Sequence, residues 1–159
     1  MTVKVLFVCL GNICRSPTAH GLFEDKVKAA GLSDKIVIDS AGTGDWHVGG
    51  APDKRAQATA LERGYDISQL KARQVTSEDY QTFDYILGMD VQNVLDLKRI
   101  KTPDYRGVLG LFLEVANIGQ GEEVPDPYLG GNEHFNNVID LVEHGSDGLL
   151  ERIKKEHKL

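Results

Sequence analysis

Cysteine is scarce in this chain, long apolar runs are missing, and positive charge is not in excess. Only Cys9 and Cys14 occur among 159 residues, which excludes a disulfide-stapled scaffold. Two cysteines and five scattered histidines also give no zinc framework. The N-terminal apolar run ends at Val8; it has the length of a strand, far short of a signal peptide or of the ~20 residues of a membrane span. The expected setting is therefore cytoplasmic and reducing, without membrane attachment. A formal net charge of -6 argues against a general nucleic-acid binder, which needs a basic face. No repeat, linker or low-complexity tract interrupts the chain, so residues 1–159 read as one domain. Its 41% hydrophobic and 26% charged residues are ordinary for a chain that buries a core.

What is present is concentrated near the start. Val3, Val5, Leu6, Phe7 and Val8 form a β-branched and aromatic run, the pattern of a strand buried on both faces. Gly11 and Asn12 tolerate positive φ and suit a tight loop. Ser16-Pro17 reads as a helix N-cap followed by the first helical residue. Strand, loop and helix start aim backbone amides and a positive helix end at one spot, which makes an anion site. Cys9 enters that loop and Arg15 leaves it. A thiol in a positive environment ionises and becomes a nucleophile, and a planar guanidinium grips two phosphate oxygens at once. Alone, Cys9 reads equally as a small buried hydrophobe; Cys, five residues, Arg, Ser in order is far rarer. An acidic protein must then hold its anion by local charge, against its global field. The loop lacks the Gly-Lys-Ser/Thr ending of nucleotide-binding loops.

Beyond the loop, Ala19, Leu22, Phe23, Val27 and Ala30 have helical spacing, and Gly31 stops the helix. Ile36 to Ile38 reads as a second strand running into a polar, glycine-rich loop from Asp39 to Trp46. A helix is expected over 52–63 with Gly64 as its stop, a strand over 83–87, a helix over 90–101 and a strand over 108–113. Phe135, Val138, Ile139, Val142, Leu149, Leu150 and Ile153 share one helical face, and Gly145-Ser146-Asp147-Gly148 predicts a kink or two pieces. Strands alternating with helices imply an α/β sheet, largely parallel, with ligands beyond the carboxyl ends of the strands. Among the acidic residues Asp126 stands out, because Pro125 and Pro127 fix the backbone on either side of a carboxylate that must be aimed. Composition alone leaves it an ordinary loop aspartate.

Val8-Cys9 with Arg15-Ser16-Pro17 resembles the signature of the low-molecular-weight protein tyrosine phosphatases. Asp39-Ser40-Ala41-Gly42, Ala72-Arg73-Gln74 and Asp126-Pro127-Tyr128 follow in that family's order. The resemblance implies a three-layer α/β fold, a four-stranded parallel sheet with helices on both faces, and a phosphate-binding loop after the first strand. It further implies hydrolysis of phosphotyrosine and aryl phosphates through a phosphocysteine at Cys9. Arg15 would bind phosphate, Asp126 would act as general acid and base, and Leu10, Gly11, Asn12, Ile13, Cys14 and Ser16 would form the substrate cradle. Trp46 and Tyr128 would flank the ring with Leu10, although Trp46 reads equally as a core residue by composition. Asn12, Ser16 and Ser40 match the family's loop-supporting residues. No cofactor or metal is implied, since Arg15 and loop amides supply the positive charge.

By the same resemblance, the partners are phosphotyrosine proteins, a bacterial tyrosine kinase among them, and the chain is expected to be a monomer. Cys14 reads either as inert and buried or, by resemblance, as a redox partner that forms a disulfide with oxidised Cys9. Three departures are notable. Leu70 stands where many members carry a histidine, His20 where glutamate is usual, and Leu129 where a second aromatic is common. Ile13 favours phosphotyrosine over phosphoarginine, whose phosphatases tend to carry threonine there. A thioredoxin-coupled arsenate reductase would need cysteines after Cys14, and there are none. A phosphate-binding module without catalysis would need neither Cys9 nor Asp126.

Overall fold

In the computed structural model, which describes residues 2–159, alternation along the first strand sorts two cores. Strand β1 (Val3–Cys9) sends Val5, Phe7 and Cys9 into one cluster and Leu6 and Val8 into the other. Strand β3 (Tyr85–Gly88) divides the same way, with Tyr85 and Leu87 on the first side and Ile86 on the second. Both strands are buried on both faces because helices cover both, as parallel sheets require. With β2 (Ile36–Gly42) and β4 (Val108–Leu111) they form a four-stranded sheet in the order β2-β1-β3-β4, every pairing parallel.

One face carries α1 (Arg15–Ala29), α2 (Lys54–Glu62), α5 (Phe112–Val115) and α6 (Asn132–His157); the other carries α3 (Asp79–Thr82) and α4 (Val91–Ile100). Phe7 is the hub of the larger core, edge-on to Phe23 at 5.6 Å and to Phe112 at 5.2 Å. The chain turns from one side of β1 to the other between β2 and β3. The crevice beyond the carboxyl ends of β1 and β3 is therefore the place for a ligand. No helix among the described residues is long and apolar enough to cross a membrane.

Four sequence expectations need correction. The strand expected over 108–113 stops at Leu111, because the chain turns there into α5, which buries Phe112 and Leu113 in the larger core. Helix α1 starts at Arg15, with Cys14 at its N-cap, so Ser16 lies inside the first turn and caps nothing. Its hydroxyl is spent on Cys9 instead. Strand β2 does not stop at Ile38. It runs to Gly42, whose N–H donates to the Arg73 carbonyl and whose carbonyl accepts from Val75 N–H. Helix α6 is one uninterrupted helix of 26 residues. Gly145 and Gly148 are not breaks: a Cβ at Gly148 would lie 2.1 Å from the Ala116 carbonyl oxygen, and one at Gly145 would lie 2.7 Å from the Phe112 ring. Close approach to α5, rather than bending, accounts for both glycines.

Candidate active site

The loop after β1 is fastened by its carbonyls. Cys9 O and Leu10 O accept from the N–H groups of Thr43 and Gly44, each at 2.9 Å, and Ile13 O accepts from Asp53 N–H at 2.8 Å. Thr18 Oγ1 donates to Cys14 O at 2.7 Å. With these carbonyls engaged by Thr43, Gly44, Asp53 and Thr18, the loop amides are the groups left for an anion. The loop can lie this close to β2 only because Gly42 has no side chain; a Cβ there would meet Leu10 O at 2.8 Å.

A directed chain of hydrogen bonds ends on the Cys9 sulfur. Arg73 N–H donates to Asn12 Oδ1 at 3.0 Å, which fixes the amide so that Nδ2 donates to Ser16 Oγ at 2.7 Å. Having accepted there, the Ser16 hydroxyl can turn its proton to Cys9 Sγ, 3.0 Å away, with the Ala41 carbonyl at 3.4 Å as its other acceptor. Ser16 N–H also points at that sulfur, at 3.5 Å. Asn12 holds the turn with φ +55°, a conformation asparagine tolerates. Leu70 contributes nothing polar. It packs against the larger core, and a backbone amide, that of Arg73, holds Asn12. Arg73 is itself anchored by Asp39 at 3.1 Å and buried Asp79 at 3.0 Å.

Ser40 is not brought into this chain. Its hydroxyl pairs with His20 Nδ1 at 3.0 Å, and His20 reaches Glu24 at 3.5 Å. His20 is thus a buried partner of Ser40, with its carboxylate neighbour one turn on.

Arg15 is buried, and its Nη1 donates to Asp90 at 2.6 Å and to the Val124 carbonyl at 3.1 Å. Its Nη2 lies 3.8 Å from Asp126. Burial works against the guanidinium charge, but Cys9, Asp90 and Asp126 outweigh it and hold Arg15 protonated beyond its ordinary range. Asp126 is half exposed, and its Oδ1 accepts from Tyr128 N–H at 3.1 Å, an Asx turn that orients the carboxylate.

Cys9, Leu10, Gly11, Ile13, Cys14, Arg15, Trp46, His47, Asp126 and Tyr128 line one cavity of about 210 Å³. That is below the ~300–1,000 Å³ of sites for drug-sized ligands and suits a single side chain. Trp46 is 69% exposed, so it is a wall of the mouth and not a core residue. Tyr128 lines the same cavity from the segment that carries Asp126. Arg55, paired with Asp53 at 3.0 Å, stacks over the rings of Tyr128 at 5.4 Å and Phe135 at 4.8 Å. Asn12 and Ser16 lie behind the loop, and Cys14 is buried with its thiol pushed up to about 12, chiefly by burial and then by Asp53 and Cys9.

Sequence reasoning missed Asp90 and His47. Asp90 lies two residues beyond the end of β3 and opens α4 with a capping box to Asn93. An acidic cap at the carboxyl end of a strand beside the crossover was a legible sign.

The profile of the family "low molecular weight phosphotyrosine protein phosphatase" matches residues 4–159. The low molecular weight protein-tyrosine-phosphatase YfkJ of Bacillus subtilis is 40% identical over 157 residues, covering 99% of each chain. The crystal structure of a protein tyrosine phosphatase from Entamoeba histolytica superposes with a TM-score of 0.91 at 37% identity, covering 99% of this chain and all of that one. The Drosophila arginine phosphatase DARP has a TM-score of 0.88 at 31% identity, covering 96% of this chain and 98% of that one. Fold, site and sequence agree: the chain belongs to the low molecular weight phosphotyrosine protein phosphatase family.

Proposed function

We propose that this protein hydrolyses phosphotyrosine in proteins, and aryl phosphates generally, through a phosphocysteine intermediate. The observation that carries the reading is the single small cavity that holds a cysteine, an arginine and an aspartate between apolar walls. Cys9 Sγ attacks phosphorus from the loop floor, with the bonds from Ser16 suited to a sulfur bearing negative charge. Arg15 and the loop amides hold the equatorial oxygens as the P–O ester bond breaks. Asp126 gives its proton to the departing phenolate oxygen. Water then gives a proton to Asp126 and attacks phosphorus, the S–P bond breaks, and phosphate leaves with Cys9 restored. Leu10, Trp46 and Tyr128 stand where a phenyl ring would lie, and Ile13 adds an apolar contact near the loop.

The test is turnover of p-nitrophenyl phosphate in EDTA. The wild type should hydrolyse it and Cys9→Ser should lose at least a thousandfold while still binding inorganic phosphate. Wild-type protein that binds phosphate without turnover would be a binding module, and the reading would fall. Phosphotyrosine and phosphoarginine peptides compared side by side should favour the former. An Asp126→Ala variant, slow to turn over, should retain tyrosine-phosphorylated proteins from a lysate; a tyrosine kinase among them is the partner the resemblance implied.

A further inference from the structure

The acid loop is held at a place that the proposed chemistry does not itself require. Glu123 Oε2 accepts from the N–H of Val91, the first residue of α4, at 2.7 Å. The next residue, Val124, is fully buried; its N–H donates to Met89 O at 2.8 Å and its carbonyl accepts from Arg15 Nη1 at 3.1 Å. Pro125 then allows little backbone freedom before Asp126. On the helix side, Asp90 caps α4 through Asn93 N–H at 2.8 Å with one oxygen and holds Arg15 at 2.6 Å with the other. Two carboxylates, Asp90 and Glu123, thus share the positive end of one helix of ten residues. One positions the phosphate-binding arginine. The other belongs to the segment that carries the acid.

We propose that Glu123 is a positioning residue for Asp126: its bond to Val91 N–H sets the register of residues 123–126 against α4 and so aims the Asp126 carboxyl at the leaving oxygen. The inference rests on Asp126 being the general acid. Glu123 is exposed and is not among the residues that line the cavity, so any effect on chemistry must pass through the loop. A carboxylate used only for solubility would not need to reach back to an amide in the first turn of α4.

The experiment compares kcat/KM for phenyl phosphate, whose leaving oxygen needs a proton, with 2,4-dinitrophenyl phosphate, whose does not, together with inhibition by inorganic phosphate. Glu123→Ala should lower kcat/KM for phenyl phosphate by about 5- to 10-fold, as a misplaced catalytic group does. The dinitrophenyl ester and the phosphate inhibition constant should change less than twofold. Glu123→Gln, whose amide oxygen can still accept from Val91 N–H, should recover most of the loss. Equal losses on both esters, weakened phosphate binding, or a Gln variant as impaired as Ala would overturn the proposal. Asp126→Asn run in parallel separates the two levels. If it shows no leaving-group dependence, the acid assignment fails; if it does and Glu123→Ala does not, only the present inference fails.

Discussion

Arg15 lies between two carboxylates, and Asp90 is the one that fixes it. With Arg15 buried, Asp90→Ala would leave the guanidinium only the Val124 carbonyl and the more distant Asp126. Breaking such a pair costs up to about 3 kcal/mol of stability here, since the cavity admits water to one side. It should also lower kcat/KM for aryl phosphates 10- to 100-fold, with Asp90→Asn milder because it keeps the α4 cap. Unchanged steady-state kinetics for Asp90→Ala would refute the role. Cys14 makes the second case at this scale. We expect peroxide to convert Cys9 to a sulfenic acid, which the Cys14 sulfur attacks, forming a disulfide and releasing water. Wild-type activity should then return with dithiothreitol and that of Cys14→Ser should not. Because the Cys14 thiol is pushed up to about 12, its thiolate fraction rises about tenfold per pH unit below that value. Protection should therefore be better at pH 8.5 than at 6.5, and equal recovery of both proteins would reject it. At this scale Cys9, Arg15 and Asp126 were legible because an ordered motif carries them. Ser16 was misread only as a helix cap, since a serine before proline looks like one until the sulfur beside it is seen; its place among the loop-supporting residues agrees with its bonds to Asn12 and Cys9. The group that fixes Asn12 was illegible in principle: it is the backbone amide of Arg73, and every residue but proline has one.

Among the elements, α6 shows how a sequence signal can be read correctly and explained wrongly. Its apolar face emerged from the 3.6-residue period, whereas two glycines within four residues suggested a break. The packing against α5 gives them a different purpose, and this can be tested. In an isolated helix Gly148→Ala would gain about 1 kcal/mol. Here the added methyl would press on the Ala116 carbonyl, which is backbone and cannot swing aside. Overpacking costs about 1–3 kcal/mol, so the net change should be destabilising despite the better helix former. Urea unfolding would show it as a lower midpoint with an unchanged slope; a stabilised protein would mean that α6 shifts freely. The polar end of β2 was taken for loop because Asp39-Ser40-Ala41-Gly42 lacks a strand's alternation. Its pairing is imposed from outside by β1 and by the bridge to Gln74. Short α3 and α5 fell below the length at which helical periodicity is visible.

At the scale of the whole molecule, the global acidity and the local positive site coexist because the carboxylates around Arg15 are few and engaged while most of the others lie on the surface, buried Asp79 being paired with Arg73. The same distribution sets the limits of stability. Glu24, held by His20, and Asp53, held by Arg55, sit below the usual carboxylate range. Their contribution is present above the unfolded value near 4 and fades as pH falls through the folded one. The alkaline limb is more distinctive. Burial raises the phenols of Tyr65 and Tyr80 to about 12 and those of Tyr85 and Tyr105 above their ordinary range. A raised phenol stabilises the fold fully below the unfolded pKa near 10 and loses that contribution as pH rises toward the folded value, because the unfolded chain ionises first. The free energy of unfolding should therefore hold level to about pH 9 and decline by pH 11. Tyr105 isolates the cause. Its hydroxyl makes only a long contact, 3.5 Å to Val108 O, so Tyr105→Phe should cost little at pH 7. At pH 11 the same variant should gain on the wild type by up to about 1 kcal/mol, allowing for its part exposure, because phenylalanine has nothing to ionise. Urea midpoints for both proteins at the two pH values decide it: curves that fall in parallel would place the alkaline loss elsewhere, and convergence or crossing assigns it to phenols the fold keeps neutral.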